Sequence, residues 1–512
     1  MLAVGEQALP WDTVFPDVFA RDGLPGFDVV LGNPPWETLQ YRTSDFVGGL
    51  DVPVPDPKAG GTAERRVLDD PAVAEAFAAY KQGFDRRKRL FERLYRHQRT
   101  RTRARGATAG TLDTFRLFAE RAVSLAGERG AIGLLVPSAF HANEGATAIR
   151  ALYLQRMRLD LCLSFENRRR LFDIDSRFRF DLIVARQPGP TAATRCAFYL
   201  DSIDQIDDPA RLMTYDAAFV ARVGGDHLSF LELRGPADLA IARRMFAAPD
   251  RFADWCAQTG VRFGRDLHMT YDASAFRPLT TGEDLLTLHE GKTFHQFVDR
   301  WDTAPRYGVS PAALRGKPGV AEAAGWFRLA FRDIAKSTDE HTMIAAVLPP
   351  GTVCGHTATV ERRPWQRAPT DMLTLCAILN AHPFEWLVRQ KAGSHLSLYL
   401  LDALPMPVLS VDERALLSDL ALRLSCNHAG FVPLWRAVAD RPWNPLIDPG
   451  QRWRARAEAD AIVALGYGLD RSAYARMLAS FSHRSFPSAP SLCLAAYDAR
   501  ARAGMPGERL AS

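Results

Sequence analysis

The chain has 512 residues, enough for roughly two to four domains, and its 47% hydrophobic and 24% charged residues are the balance of a globular protein. No apolar run approaches the ~18 residues that a membrane helix needs, and no basic stretch leads into a long apolar one at the N-terminus, so a cytoplasmic protein with no membrane partner is expected. A net charge of +5 excludes a strongly basic chain, and seven cysteines scattered singly, with no CxxC pair, exclude a disulfide framework and a zinc ribbon, so no metal is expected.

Phe27 to Gly32 is a short apolar run ending at a glycine, the pattern of a buried strand. An insertion follows over 38–110, rich in Pro and Gly near 48–61 and basic later, expected to be a partly mobile excursion. Between Lys81 and Arg105 it carries eleven Lys or Arg against two acids, Asp85 and Glu92. Such a run suits a phosphate backbone or a solvated helix face equally. Leu112, Phe115, Phe118, Ala119 and Ala122 then repeat at helical spacing, and Gly127 and Gly130 mark the stop. Ala131 to Val136 is the next strand, 145–157 a helix, Arg158 to Phe165 a strand and Asp181 to Ala185 another. Strand, helix, strand, helix, strand implies parallel pairing through crossover helices.

Beyond about residue 205 the segments shorten. Trp326 to Phe331 and Met343 to Leu348 read as strands and Asp371 to Arg389 as one helix. From about Asp412 the chain is helical, and the last thirty or so residues, with Pro487, Pro490 and Pro506, are expected to end in a loose tail. The fold class is α/β: a partial Rossmann-like sheet over 1–204, an α+β domain over 205–410 and a helical C-terminal region over 411–512.

The chemistry concentrates at Asn33, Pro34, Pro35 and Trp36, directly after the first strand. The carboxyl end of a parallel strand is where open α/β sheets place their ligands. The exocyclic amine of adenine is a poor nucleophile because its lone pair is delocalised into the ring. Two acceptors on its two N–H bonds favour a pyramidal nitrogen and free that pair. The Asn33 side-chain oxygen and the Pro34 carbonyl are candidate acceptors. Two successive prolines hold a rigid turn, and Trp36 offers a π-face on which an extruded base can stack, worth about 1–3 kcal/mol by analogy with other base–aromatic contacts. A turn after a strand is the plain structural alternative.

Residues 27–37, FDVVLGNPPWE, resemble the catalytic motif of amino-methyltransferases that act on adenine in DNA. The likeness is to the large restriction–modification and phage-defence methylases, including those of BREX, DISARM and type IIG kind. Trp11 to Phe19 resembles their aromatic lead-in. Asp113 to Phe118 and Gly130 to Ser138 are similar to their next helix and strand, and Phe165-Glu166-Asn167, Leu171-Phe172 and Phe178 to Phe180 to the segment closing the catalytic sheet. The resemblance implies an aromatic base contact there, with Phe172 the first choice and Phe178 the second. Leu288 to Lys292 and Phe297 resemble the opening of the family's target-recognition domain. Arg328 to Thr338 with Pro349 and Pro350 are similar to its later part, and Arg454 to Leu469 to the C-terminal helix pair. Lys292, Arg328 and Arg332 are the candidate DNA contacts.

The resemblance thus implies a partial methyltransferase catalytic domain over 1–204, a target-recognition domain over 205–410, S-adenosyl-L-methionine as cofactor and double-stranded DNA as partner. In the family a donor-binding strand with a glycine-rich turn precedes the tetrapeptide. Only 32 residues precede Asn33, and no such turn follows an apolar strand later, so the donor-binding half of the sheet is expected to be missing, and a split enzyme with a separate partner chain, a misplaced start codon or a decayed relic would each explain this. The alternative is a DNA-binding or specificity component without turnover. A third, a nuclease, rests on Asp284 with Glu290-Gly291-Lys292, a loose D…ExK pattern. His289 and His295 make no metal pair with a third candidate, and Gly264-Arg265-Asp266 and His395 have no assigned role.

Overall fold

A computed structural model describes residues 9–20, 25–50, 68–98, 100–102, 106–108, 112–279, 284–334, 339–391 and 395–503. The chain divides into two compact units, 1–236 and 237–512. Among the described residues no helix is long and apolar enough to cross a membrane. All seven cysteines are unpaired and buried.

The first unit is built on a six-stranded sheet. Its strands are β1 (Phe27–Gly32), β4 (Ala126–Pro137), β5 (Arg158–Glu166), β6 (Arg179–Arg186), β7 (Ala193–Leu200) and β8 (Met213–Asp216), in the order β1-β4-β6-β5-β7-β8. A two-stranded ribbon, β2 (Thr100–Thr102) and β3 (Gly106–Thr108), lies within the insertion. β1 pairs in parallel with β4, with Val29 opposite Ala131 and Gly32 opposite Leu134. β6 runs antiparallel between β4 and β5. The three strands joined by crossover helices therefore share one direction, as the strand–helix alternation implies. β4 and β5 are not neighbours, because β6 returns from β5 and fills the gap between them.

Sequence pattern explains these elements. β4 alternates buried and half-buried positions from Gly130 onward, the signature of a strand with one well-covered face. The crossover helix Thr114–Leu125 buries Phe115, Ala119 and Ala122 but leaves Phe118 51% exposed. Arg116 takes an inward position instead, its guanidinium donating to the Gly145 carbonyl. β1 is not the buried strand expected. It is an edge of the described sheet, with Val29 and Leu31 both exposed.

Part of the basic insertion is a helix, Pro71–Leu94, capped by Asp70, whose carboxylate accepts from the Ala72 and Val73 amides at 2.8 and 3.3 Å. None of its residues is buried. Phe77 and Tyr80 pack against Phe46 at 5.1 and 5.2 Å, which ties the helix to the segment after the tetrapeptide. Residues 51–67, the Pro- and Gly-rich part, lie outside the described residues.

The domain limit expected after residue 204 falls before β8, which extends the sheet beside β7. In the second unit, one mixed sheet is ordered β10-β12-β11-β15, from β10 (Phe276–Pro278), β11 (Leu286–His289), β12 (Tyr307–Val309) and β15 (Thr352–Cys354). An antiparallel sheet is ordered β14-β13-β16-β9, from β9 (Phe263–Gly264), β13 (Arg328–Arg332), β14 (Ala345–Leu348) and β16 (Ala358–Glu361). Helices Pro369–Leu379 and His382–Arg389 replace the single helix expected. Pro383 supplies no amide and fits only the first turn of a helix, so the chain restarts there. The C-terminal tail is corrected as well. Ala489–Arg502 is a helix with Pro490 in its first turn and Cys493 and Tyr497 buried.

Candidate active site at the sheet edge

The tetrapeptide leaves the carboxyl end of β1 as irregular chain. Its flanks are fastened. The Thr114 hydroxyl lies 2.7 Å from the Pro35 carbonyl and 2.8 Å from that of Glu37, and the Thr114 amide donates to Glu37 at 2.8 Å. The Thr38 hydroxyl donates to Asp113 at 3.1 Å, and the Leu39 amide to the Leu112 carbonyl at 2.7 Å. The start of the crossover helix thus clamps the loop from Pro35 to Leu39. Asn33 is exposed and Pro34 buried. Among the described residues, neither the Asn33 carboxamide nor the Pro34 carbonyl has a hydrogen-bond partner. A rigid loop that leaves two adjacent acceptors open is equipped to bind a group with two donors.

Trp36 is half-buried, with its indole N–H 3.4 Å from the Leu135 carbonyl and its ring laid over Phe180 at 6.0 Å. The open platform expected at Trp36 is therefore a ring seated on the sheet. Phe172 meets the same Phe180 ring edge-on at 5.0 Å, so Trp36 and Phe172 share one aromatic support. Phe178, at the other end of the same loop, is 51% exposed.

Asn167 organises this loop, a role residue type alone does not reveal. It is fully buried, and its side chain accepts from the Phe172 amide at 3.0 Å while donating to the Phe172 and Ile174 carbonyls at 3.0 and 3.1 Å. Its own amide donates to the Phe178 carbonyl at 3.0 Å.

Behind the same edge lies a buried ionic group that sequence spacing gave no sign of. His141 Nδ1 is 2.7 Å from Asp181 and Nε2 3.0 Å from Glu232, which also pairs with Arg179 at 2.5 Å. Burial by itself lowers the His141 pKa, but the two carboxylates outweigh it and carry it to about 9. His141, Asp181 and Glu232 come from three separate segments, so no motif links them.

In the second unit the three candidate DNA contacts fare differently. Lys292 is exposed and 3.5 Å from Glu290. Arg332 lines, with Glu290, Gly291, Lys292, Ile334 and Thr357, an open cleft of about 230 Å³, but its guanidinium is turned to the Phe294 carbonyl. Arg328 is completely buried, donating to Asp266 at 2.9 Å and to the Thr352 carbonyl at 2.6 Å. A phosphate cannot reach it, which corrects the expectation for that residue and gives Asp266 a role. His289 is a core histidine, held 2.8 Å from Thr293 and lowered to about 4 by burial. Asp284 and Glu290 belong to neither of the two three-residue clusters of potential metal ligands found among the described residues, and the Glu290 carboxylate is paired with Lys292 and Arg306.

No family model matches the chain, and no curated protein matches it. Among solved structures it is similar to the type IIL restriction–modification enzyme MmeI in complex with DNA, at 9% identity and a TM-score of 0.41, covering 73% of this chain and 52% of that one. It is also similar to the ATP-dependent type ISP enzyme LlaBIII bound to DNA, at 7% identity and a TM-score of 0.39, covering 78% of this chain and 30% of that one. A nuclease-deletion mutant of the type ISP enzyme LlaGI with a DNA substrate mimic gives 9% identity and a TM-score of 0.36, covering 78% and 41%. All three are restriction–modification enzymes. The chain spans about half the length of the first and less of the others.

Proposed function

We propose that the chain carries the base-binding and target-recognition parts of a site-specific DNA adenine methyltransferase of the restriction–modification and phage-defence kind. Its reaction moves a methyl group from S-adenosylmethionine to the exocyclic amine of an adenine rotated out of the duplex. The observation that carries this reading is the pair of unpartnered acceptors, Asn33 Oδ1 and the Pro34 carbonyl, on a loop whose flanks are otherwise fastened. Two acceptors at a strand's carboxyl end match the two N–H bonds of an adenine amine. By accepting both, they localise its lone pair on nitrogen. Trp36, seated on Phe180, stiffens the turn. Phe172 and Phe178, at the two ends of the loop held by Asn167, are the aromatic residues this reading assigns to the flipped base.

The described residues offer no cradle for the donor: beside the open edge of β1 they include neither a further strand nor a glycine-rich turn. In this reading the donor contacts lie outside the described residues, and the chain's own part is to hold and orient the amine. The test is transfer of labelled methyl from S-adenosylmethionine to DNA, with the product of the neighbouring reading frame added. Asn33→Ala should lower the rate about 10²–10³-fold, the usual loss for one oriented hydrogen-bonding group at a reacting centre, with duplex affinity changed less than about twofold. Transfer that survives Asn33→Ala removes the proposal.

A further inference from the structure

We propose that His141, Cys162 and Asp181 supply three ligands of a buried zinc site beneath the sheet edge. A ring nitrogen, a sulfur and a carboxylate oxygen from these three residues all lie within 4.8 Å of one another, and all three side chains are completely buried. Ligands about 2.0–2.3 Å from a tetrahedral zinc stand roughly 3.4–3.8 Å apart, so small side-chain shifts would close the set.

Two orphaned atoms point to something missing. Among the described residues neither Asp181 Oδ1 nor Ser164 Oγ has a hydrogen-bond partner, although both are buried. Ser164 and Asp181 are register partners on β5 and β6, and Cys162 lies two residues before Ser164 on the same face. Buried polar atoms are rarely left bare, and an ion is one of the few agents that satisfies a carboxylate, a hydroxyl and a thiol together.

The surroundings suit a cation. The far nitrogen of His141 lies 3.0 Å from Glu232, which Arg179 holds at 2.5 Å. A carboxylate on the outer nitrogen fixes the tautomer that presents the inner lone pair to a metal. Zinc would displace one proton from the thiol and one from the imidazole, so the net charge of the pocket would not change. In the second buried trio, His382, Asp460 and Cys493, the carboxylate is already engaged on both oxygens. Its Asp460 oxygens already accept from the His382 amide at 2.6 Å, from Cys493 at 3.4 Å and from the His382 ring, which makes Asp460 a cap for the helix starting there.

A zinc at this place would tie β5, β6 and the turn after β4 together just behind the Asn167 loop, whatever reaction the edge performs. The test uses the full chain and the metal alone. Zinc per chain is measured by mass spectrometry after dialysis, and cobalt is exchanged in to look for a thiolate-to-cobalt charge-transfer band. About one zinc per chain and the band are expected. Glu232→Gln should weaken zinc binding on the order of ten- to a hundredfold, Cys162→Ser should abolish the band, and Cys493→Ser should change neither. Absence of zinc and of the band in the unaltered chain overturns the proposal. So does zinc that binds Cys162→Ser and Asp181→Asn as tightly as the unaltered chain.

Discussion

At the carboxyl end of β1, hydrogen bonds from Thr114, Thr38 and Leu39 secure the loop and leave the Asn33 and Pro34 acceptors open. In the second unit the arrangement is reversed: Arg328, a residue suited to phosphate, is closed off by Asp266 and two sheet carbonyls. Residue type gives both regions the same claim to a ligand. What separates them is whether the fold has already supplied the partners. The exposed Lys292, with one weakly held acid beside it, stands between the two cases.

The contrast can be broken most forcefully at Arg328. Arg328→Ala would take from the buried Asp266 its nearest cation, leaving it the Cys354 amide at 3.1 Å and Arg362 at 3.8 Å, a loss expected to cost about 3 kcal/mol, the low end for breaking a buried pair. Urea unfolding of the second unit should show it. A variant that keeps normal stability and loses only DNA affinity would mean that Arg328 serves DNA after all. Asn167→Ala should come next, at about 1–3 kcal/mol, because it strands the Phe172 amide and the Phe172 and Ile174 carbonyls. In the proposed reaction it should also slow methyl transfer while leaving Asn33 in place. Normal stability together with normal transfer would refute the organising role of Asn167.

Acid sharpens the comparison within the second unit. Burial by itself would raise the Glu385 pKa, but His341 at 3.0 Å, Arg389 at 3.0 Å and His382 outweigh it and take it from the ordinary 4.5 to about 2. A depressed carboxylate contributes stability above its unfolded pKa and loses it as pH falls through the folded one. The stability difference between the unaltered chain and Glu385→Gln should therefore be full above pH 4.5 and shrink toward pH 2. A difference that stays constant across that window would show that Glu385 is not the titrating group.

Strands β1 and β4 were legible as apolar runs bounded by Gly or Pro, β5 as the alternation of Leu159, Leu161, Leu163 and Phe165, and β6 as the short apolar run from Leu182 to Ala185. The antiparallel insertion of β6 was not, since alternation fixes which elements cross over and says nothing of which strands touch. The break at Ala381 was written in Pro383, and the C-terminal helix in Pro490; both prolines suit a first helical turn as well as a loop. The tetrapeptide stood out because its chemistry is contiguous. Asn167 and the His141–Asp181–Glu232 group did not, because each draws its meaning from partners that only the fold brings near.

The smallest expected effect lies at Lys292, where the comparison is most delicate. The side chain is half-exposed and its ion pair with Glu290 is 3.5 Å long, so Lys292→Ala should change stability by no more than about 0.5 kcal/mol. If the lysine meets a DNA phosphate, as proposed for the recognition part, the variant should bind all sequences somewhat less tightly. Its log-affinity against log-salt slope should then be shallower by about one. Glu290 complicates the outcome in a useful way. Removing the lysine leaves that carboxylate to Arg306, 3.3 Å away, so the loss of a cation at the cleft is not masked by a newly exposed acid. An unchanged slope would place Lys292 with Arg328, as a cation whose partner is the protein itself.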